Sequence, residues 1–206
     1  MEISYGHIDG IKIGQIFETR QALIDAGMHP HREAGIWGSS KNAACSIVLS
    51  GGYEDDLDEL DFVLYTGHGG QKNKVQVADQ DFSAKRGWGN KGLVISYESN
   101  LPVRVIRGYQ IDNGPTSGYR YDGLYYVEKY ERVRGKSGFF VCRFYLKSQL
   151  KIESLEEKLK SKFKKTYKSA PRAKSIVDRT VRSQKNVDAI KKMYSVSYTH
   201  LTLPTN

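Results

Sequence analysis

The chain has 206 residues, of which 39% are hydrophobic and 27% charged, with 20 glycines and 14 tyrosines. That length supports one well-buried domain with an appendage and is short for two full domains. No stretch approaches the ~20 apolar residues that a bilayer span needs, and Met1-Glu2-Ile3-Ser4-Tyr5-Gly6 lacks the basic-then-apolar order of a secretion signal. A cytoplasmic protein with no membrane partner is the expectation. Cys45 and Cys142 form no C-x-x-C pair, which argues against a zinc knuckle or a disulfide framework, and both read as small buried residues.

The formal net charge is +9, and its distribution matters more than its sum. Residues 1–150 hold 18 Lys+Arg and 18 Asp+Glu, whereas residues 151–206 hold 14 and 5. The core is neutral, so a polyanion-binding argument for it must rest on local placement. Glu54, Asp55, Asp56, Asp58, Glu59 and Asp61 crowd one segment, and Lys72, Lys74, Lys85, Arg86 and Lys91 occupy the next.

In chain order, 10–17 alternates apolar and polar residues as a half-buried strand does, and 19–28 reads as a short helix. Strands are expected at 46–49, 62–65, 93–97, 103–107, 123–130 and 139–146, each rich in β-branched and aromatic residues with Gly, Asn or Asp between them. The spacing suggests a twisted antiparallel barrel or sandwich. Beyond Lys147, Ser154-Leu155-Glu156-Glu157 has the form of a capping box leading into a lysine-rich helix. Ser169-Ala170-Pro171 interrupts it before a second helical stretch at about 175–194, and 196–206 fits neither and reads as a non-native tail.

The densest unusual cluster is Ser50-Gly51-Gly52-Tyr53-Glu54-Asp55-Asp56, followed by Tyr65-Thr66-Gly67-His68-Gly69-Gly70. Glycines remove side chains where backbone comes close to something flat, and two tyrosines can sandwich it. A planar base fits. The same residues also read as hairpin turns with surface tyrosines and a solvated acidic loop. His29-Pro30-His31 offers two imidazoles without a carboxylate or cysteine partner and reads as a loop, so no metal is assigned. Trp37 reads as core and Trp88 as a loop anchor.

Four motifs in order, Ala34-Gly35-Ile36-Trp37-Gly38, Ile47 to Asp56, Tyr65-Thr66-Gly67 and Arg120-Tyr121-Asp122-Gly123-Leu124-Tyr125, together with Lys136-Ser137-Gly138-Phe139, closely resemble the SRA domain family, also called YDG. The resemblance runs from about Gly6 to Lys147. It implies an α+β fold, a curved antiparallel β-barrel flanked by helices and followed here by a basic helical tail, that binds duplex DNA and flips 5-methylcytosine or a related base. The resemblance assigns Tyr53 and Tyr65 to the faces of the base and Asp56 to its Watson–Crick edge. Thr66 and the Gly67 backbone complete the edge, Ser50, Gly51 and Gly52 form the floor, and His68 sits at the pocket margin. A carboxylate accepts from the cytosine N4 amine and repels the carbonyl of thymine or uracil there.

Around the pocket, Glu33, Gly35, Ser39, Gln71, Lys72, Asn73, Lys74, Lys85, Arg86 and Lys91 are candidates for backbone and groove contacts, although the cations read equally as solvated charge. Glu33 stands where hemimethyl readers have a small apolar residue, and Gln71-Lys72-Asn73-Lys74 lacks the arginine of their reading finger, which argues against hemimethyl-CpG specificity. Which modification is preferred, 5-methyl or 5-hydroxymethyl, stays open.

The expected organisation is therefore a modified-DNA-binding domain at 1–150, a basic linker at 151–195 leading toward an absent HNH-like nuclease domain, and the tail. The functional expectation is the targeting half of a bacterial, nucleoid-associated modification-dependent restriction endonuclease, without catalytic residues or a cofactor in this chain and with a homodimer formed through the absent domain. A stand-alone reader is the alternative, and an RNA-binding barrel a weaker one.

Overall fold

The structure, a computed structural model, describes residues 4–83, 88–150, 153, 154 and 157. Lys85 and Arg86, the expected basic linker at 151–195 apart from 153, 154 and 157, and the expected tail at 196–206 lie outside the described residues. The elements are β1 (Ile16–Phe17), α1 (Arg20–Asp25), β2 (Ile36–Trp37), β3 (Ser46–Leu49), β4 (Leu57–Asp58), β5 (Phe62–Thr66), β6 (Gln71–Lys72), β7 (Val75–Gln76), α2 (Trp88–Glu98), β8 (Val103–Gly108), β9 (Tyr119–Arg134) and β10 (Phe140–Ser148).

Seven strands run in the order β2-β3-β8-β9-β10-β5-β4, β1 pairs with β9 beside that path, and β6 and β7 form a separate hairpin. The expected antiparallel barrel needs two corrections. The sheet is open, ending on β2 and β4 rather than closing. It is also mixed, because β3 and β8 run parallel, with Ser46 opposite Arg104 and Leu49 opposite Arg107. A parallel pair needs a long crossover. The chain between β3 and β8 supplies it, and carries β4 to β7 and α2.

Ser46, Ile47, Val48 and Leu49 are all buried, as are all six residues of β8. Both faces of this pair are covered. Ile47, Leu49, Val103 and Val105 join Ile36, Val63, Leu93, Phe144 and Leu146 in one core cluster, and Val48 and Ile106 join Phe17, Leu23, Met28 and Tyr121 in the other. Continuous apolar runs are what two-sided burial demands.

The stretch 93–97, expected as a strand, lies inside α2. Local β-branched content favours a strand, but burial of Gly89, Leu93 and Ser96 along one helical face prevails. A Cβ on Gly92 would meet Ser39 N at 3.2 Å and Gly38 Cα at 3.3 Å, so the glycine permits close packing of the helix on the loop after β2. The helix ends in a Schellman turn: Leu101 N–H donates to Ser96 O at 2.9 Å and Asn100 N–H to Tyr97 O at 3.2 Å, with Asn100 at φ 49°. Thr19 caps α1 by accepting from Ala22 N–H at 3.1 Å, and Gly27 closes it at φ 67°.

Two members of the acidic segment, Asp55 and Asp58, are internal scaffolding. Arg107, 1% exposed, donates to both oxygens of Asp58 at 2.7 and 2.6 Å and to Asp122 at 2.9 Å, and Arg120 closes on Asp122 at 2.5 Å. Asp55, also buried, accepts from Arg143 at 2.7 Å and from the Lys136 amide at 3.2 Å. Asp122 of the Tyr121-Asp122-Gly123 motif thus joins β8 and β9, and Tyr121 bonds through its hydroxyl to His7 Nδ1 at 2.8 Å. Among the described residues, no helix is long and apolar enough to cross a membrane.

Candidate nucleic-acid interface

A cavity of about 360 Å³ opens between the loop after β3, the end of β5 and the loop leading to β6. Its wall includes Ser50, Gly52, Tyr53, Asp56, Tyr65 and His68 from the expected pocket, and Glu33, Gly35 and Gln71 from the expected rim. Gly51 instead lines a neighbouring cavity of about 320 Å³ on which Tyr53 and Asp56 also border. Thr66 and Gly67 sit behind the wall rather than on it.

Asp56 is held from that second layer. Its Oδ1 accepts from the Thr66 amide at 2.7 Å, which leaves Oδ2 for other partners. Burial pushes its pKa up to about 6, against the Thr66 contacts that favour the charged form, and neighbouring Asp55 and Asp58 push the same way as burial. The Thr66 hydroxyl is itself buried without a hydrogen-bond partner of good geometry. Unlike Asp55 and Asp58, Asp56 has no ion pair at salt-bridge distance among the described residues.

Tyr65 is 4% exposed and belongs to the core cluster, and burial raises its hydroxyl pKa well above the ordinary value. A Cβ on Gly35 would lie 2.5 Å from the Tyr65 hydroxyl, so only glycine lets β2's approach and this ring share the wall. The Tyr53 hydroxyl accepts from the Gly69 amide at 3.2 Å, and burial pushes its pKa up to about 12. Both phenols are therefore neutral rings at physiological pH.

The glycine-rich loop after β5 is fixed by amide side chains, of which sequence reasoning missed Gln76, Gln80 and Asn90. Gln80, 2% exposed, donates to Gly67 O at 2.7 Å and Gly69 O at 3.2 Å and accepts from the Cys142 amide at 2.9 Å. Gln76 donates to Gly69 O at 3.1 Å and Ala78 O at 2.6 Å, and Gln71 donates to Gly52 O at 2.7 Å across the cavity rim. Asn90 at the start of α2 grips His68, whose amide donates to Asn90 Oδ1 at 2.8 Å. A Cβ on Gly67 would collide with that Asn90 side chain. The Gly67 amide donates to Cys142 O at 2.7 Å, so it is spent within the protein. Isolated polar residues carry no periodic signal, and nothing in the sequence marks Gln76, Gln80 and Asn90 as buried.

The cationic side is the β6–β7 hairpin. Asn73 and Lys74 take φ of 52° and 64°, the mirror-image turn that matches strand twist in a two-residue loop. The hairpin exposes Lys72, Lys74 and Val75, the last 61% exposed, and Lys74 and Val75 border a smaller cavity of about 150 Å³ beside Tyr53. Ser39 is turned inward to a local turn, its hydroxyl accepting from the Lys41 and Asn42 amides at 3.1 and 2.9 Å, and Lys91 lies on α2. His29 is buried between Ser46 Oγ at 2.9 Å and Ala34 O at 2.7 Å, with burial lowering its pKa to about 3. His31 Nδ1 accepts from two loop amides. Among the described residues no three His, Cys, Asp or Glu side chains converge to hold a metal ion.

An open mixed sheet with a recessed cavity beside it defines a β-rich domain. The pattern of the SAD/SRA domain matches residues 4–151, and the chain belongs to that family. It is 36% identical over 163 residues to the E3 ubiquitin-protein ligase UHRF1 of Rattus norvegicus, a match covering 69% of this chain and 21% of that protein. It is 41% identical over 157 residues to the histone-lysine N-methyltransferase SUVH4 of Arabidopsis thaliana, covering 69% of this chain and 24% of that one. Among solved structures, the modification-dependent TagI restriction endonuclease superposes with a TM-score of 0.66 at 45% identity, over 70% of this chain and 52% of that chain. The SUVH5 SRA domain bound to fully hydroxymethylated CG DNA superposes with a TM-score of 0.61 at 36% identity, over 71% of this chain and 94% of that chain. The chain spans about a fifth to a quarter of the length of these curated relatives.

Proposed function

We propose that this chain binds duplex DNA at a modified cytosine, 5-methylcytosine or 5-hydroxymethylcytosine, and takes the base out of the stack into the cavity. The observation that carries the reading is the grouping of Tyr53, Tyr65 and Asp56 on one cavity wall. Asp56 is anchored through one oxygen and keeps the other for the N4 amine of cytosine. The two tyrosines supply ring surface for stacking. SRA-domain neighbours solved with methylated and hydroxymethylated DNA support the choice of ligand.

The energetics are consistent. Extruding a base costs a few kcal/mol, and stacking it on an aromatic side chain returns ~1–3 kcal/mol, so two tyrosines offset extrusion. One buried methyl contributes only about 0.8 kcal/mol, roughly fourfold in affinity. Recognition of cytosine thus falls to Asp56, and discrimination among modifications to other wall residues.

Likeness to the TagI endonuclease favours a role as the targeting module of a modification-dependent restriction endonuclease, with the nuclease domain beyond this chain. A homodimer would then form through that domain. The alternative is a reader without a nuclease.

Gel-shift titration with duplexes that differ at one cytosine tests the central claim. Asp56→Ala, or Tyr53→Ala combined with Tyr65→Ala, should abolish preference for modified over plain cytosine and leave salt-sensitive background binding. Equal affinity of the unmutated chain for modified and plain duplexes at physiological salt would sink the reading.

A further inference from the structure

His68 is fixed by the first turn of α2 at three points. Its amide donates to Asn90 Oδ1 at 2.8 Å, its carbonyl accepts from Asn90 Nδ2 at 3.0 Å, and its ring Nε2 lies 3.1 Å from the Gly89 amide. Asn90 is fully buried and is anchored in turn on Asp81 O at 2.9 Å. The Trp88 ring lies against the imidazole with centroids 5.0 Å apart. The ring orientation is therefore set by the scaffold.

The tautomer follows. A backbone N–H only donates, so Nε2 must hold its lone pair toward Gly89, and the proton of the neutral ring sits on Nδ1. Burial lowers the His68 pKa, so the neutral ring is the form present at physiological pH. The Cδ2–Nε2 edge is packed on Gly89, where an added Cβ would stand 3.0 Å from Cδ2 and 3.3 Å from Nε2. The Nδ1–Cε1 edge is the opposite side of a ring that lines the cavity.

We propose that His68 is a specificity-determining residue of the cavity: its Nδ1–H is a preset donor to an oxygen carried on the 5-position of the base, which favours 5-hydroxymethylcytosine over 5-methylcytosine. This rests on the base-pocket reading above. In cytosine the 5-substituent and the N4 amine leave adjacent ring atoms. Asp56 and His68 line the same cavity, and the proposed pose gives the amine to Asp56 and sets the 5-substituent toward His68. A hydroxymethyl oxygen accepts the Nδ1–H. A methyl group strips water from that N–H and gives nothing back, a difference of about tenfold in affinity.

The test uses the full chain and three duplexes identical except at one cytosine, which is plain, 5-methylated or 5-hydroxymethylated, titrated by fluorescence anisotropy at fixed salt. The hydroxymethylated duplex should bind about tenfold tighter than the methylated one. His68→Phe should bring that ratio close to one, and His68→Gln, which keeps both a donor and an acceptor, should retain part of it. Heteronuclear NMR of the imidazole nitrogens should show the proton on Nδ1. A proton on Nε2, or a hydroxymethyl-to-methyl ratio that His68→Phe leaves unchanged, overturns the proposal. Should His68→Phe fail to fold, the tautomer and the ratio in the unmutated chain decide. If both modified duplexes bind no tighter than the plain one, the base-pocket reading itself falls. If both bind tighter than plain but equally, only the role of His68 falls.

Discussion

Asp55 and Asp58 on one side, and Asp56 on the other, are neighbours in sequence and opposites in environment. Asp58 faces a fully buried Arg107 at 2.6 Å and Asp55 faces Arg143 at 2.7 Å, so each burial of negative charge is compensated. Asp56 is nearly as withdrawn from water but, among the described residues, has Thr66 contacts and no cation at salt-bridge distance, and its pKa rises to about 6. A carboxylate placed beside guanidinium is structural. One desolvated without a cation is, on the proposed function, available to a donor that arrives with the ligand.

The sharpest way to break this contrast is Asp58→Ala. It strands Arg107 with one carboxylate partner fewer, and removal of one member of a buried pair costs about 3–5 kcal/mol. Chemical denaturation should therefore show a large drop in midpoint for Asp58→Ala and a smaller one for Asp56→Ala, which removes only the acceptor of the Thr66 amide. Comparable losses for the two would erase the distinction. Gly35→Ala comes next, because the new methyl meets the Tyr65 hydroxyl at 2.5 Å. Overpacking of this kind costs about 1–3 kcal/mol, and modified-base preference should weaken while salt-dependent background binding stays.

The pH dependence has a definite sign. Since the folded pKa of Asp56 is raised to about 6, its ionised form is disfavoured by the fold, and its contribution to stability improves as pH falls from about 6 toward the unfolded value. Ligand preference runs the other way. The carboxylate only accepts, whereas the protonated acid also carries an O–H that can donate to the O4 carbonyl of thymine, so discrimination against thymine, read by competition titration, should be full near pH 7.5 and fade as pH drops through 6. Flat discrimination from pH 5 to 7.5 would remove Asp56 from the recognition of the base. The smallest effect is expected on the hairpin: Lys72→Ala with Lys74→Ala should reduce the salt slope by about 0.9 for each phosphate that a lysine no longer neutralises, with the preference between plain and modified cytosine intact. An unchanged slope would mean these lysines are solvated charge.

Much of the sheet was readable from residue type. The strands at 46–49, 62–66, 103–108 and 140–148 follow from β-branched runs bounded by glycine, asparagine and aspartate. The strand β9 is longer than expected because its far half, through Arg134, is polar on its exposed face, with Arg132 and Arg134 lying over the Phe140 ring at 4.5 and 5.2 Å. The helix α2 was not readable from β-branched content, although Asn100 and Pro102 mark its end. On the site, two of the ordered motifs carry Tyr53, Asp56 and Tyr65, with His68 directly after the second, and all four side chains line one cavity. Gly51, Thr66 and Gly67 share those motifs yet stand outside the cavity wall, and Ser39 is consumed by its own turn.

The sequence by itself determined which residue types sit at each strand, that the core is electrically neutral, and that one segment concentrates acid, glycine and tyrosine. Those properties are local, written in spacing and composition. Only the tertiary structure decided that the sheet stays open with a parallel pair at its centre, that two of three neighbouring aspartates pair with arginines from β8 and β10, and that Gln76, Gln80 and Asn90 shape the pocket loop. Apart from the bonds of Gln76, these depend on partners more than ten residues away. A side chain's charge state and hydrogen bonds belong to its surroundings, and the surroundings of Asp56 exist only once β5, the β3 loop and α2 have come together.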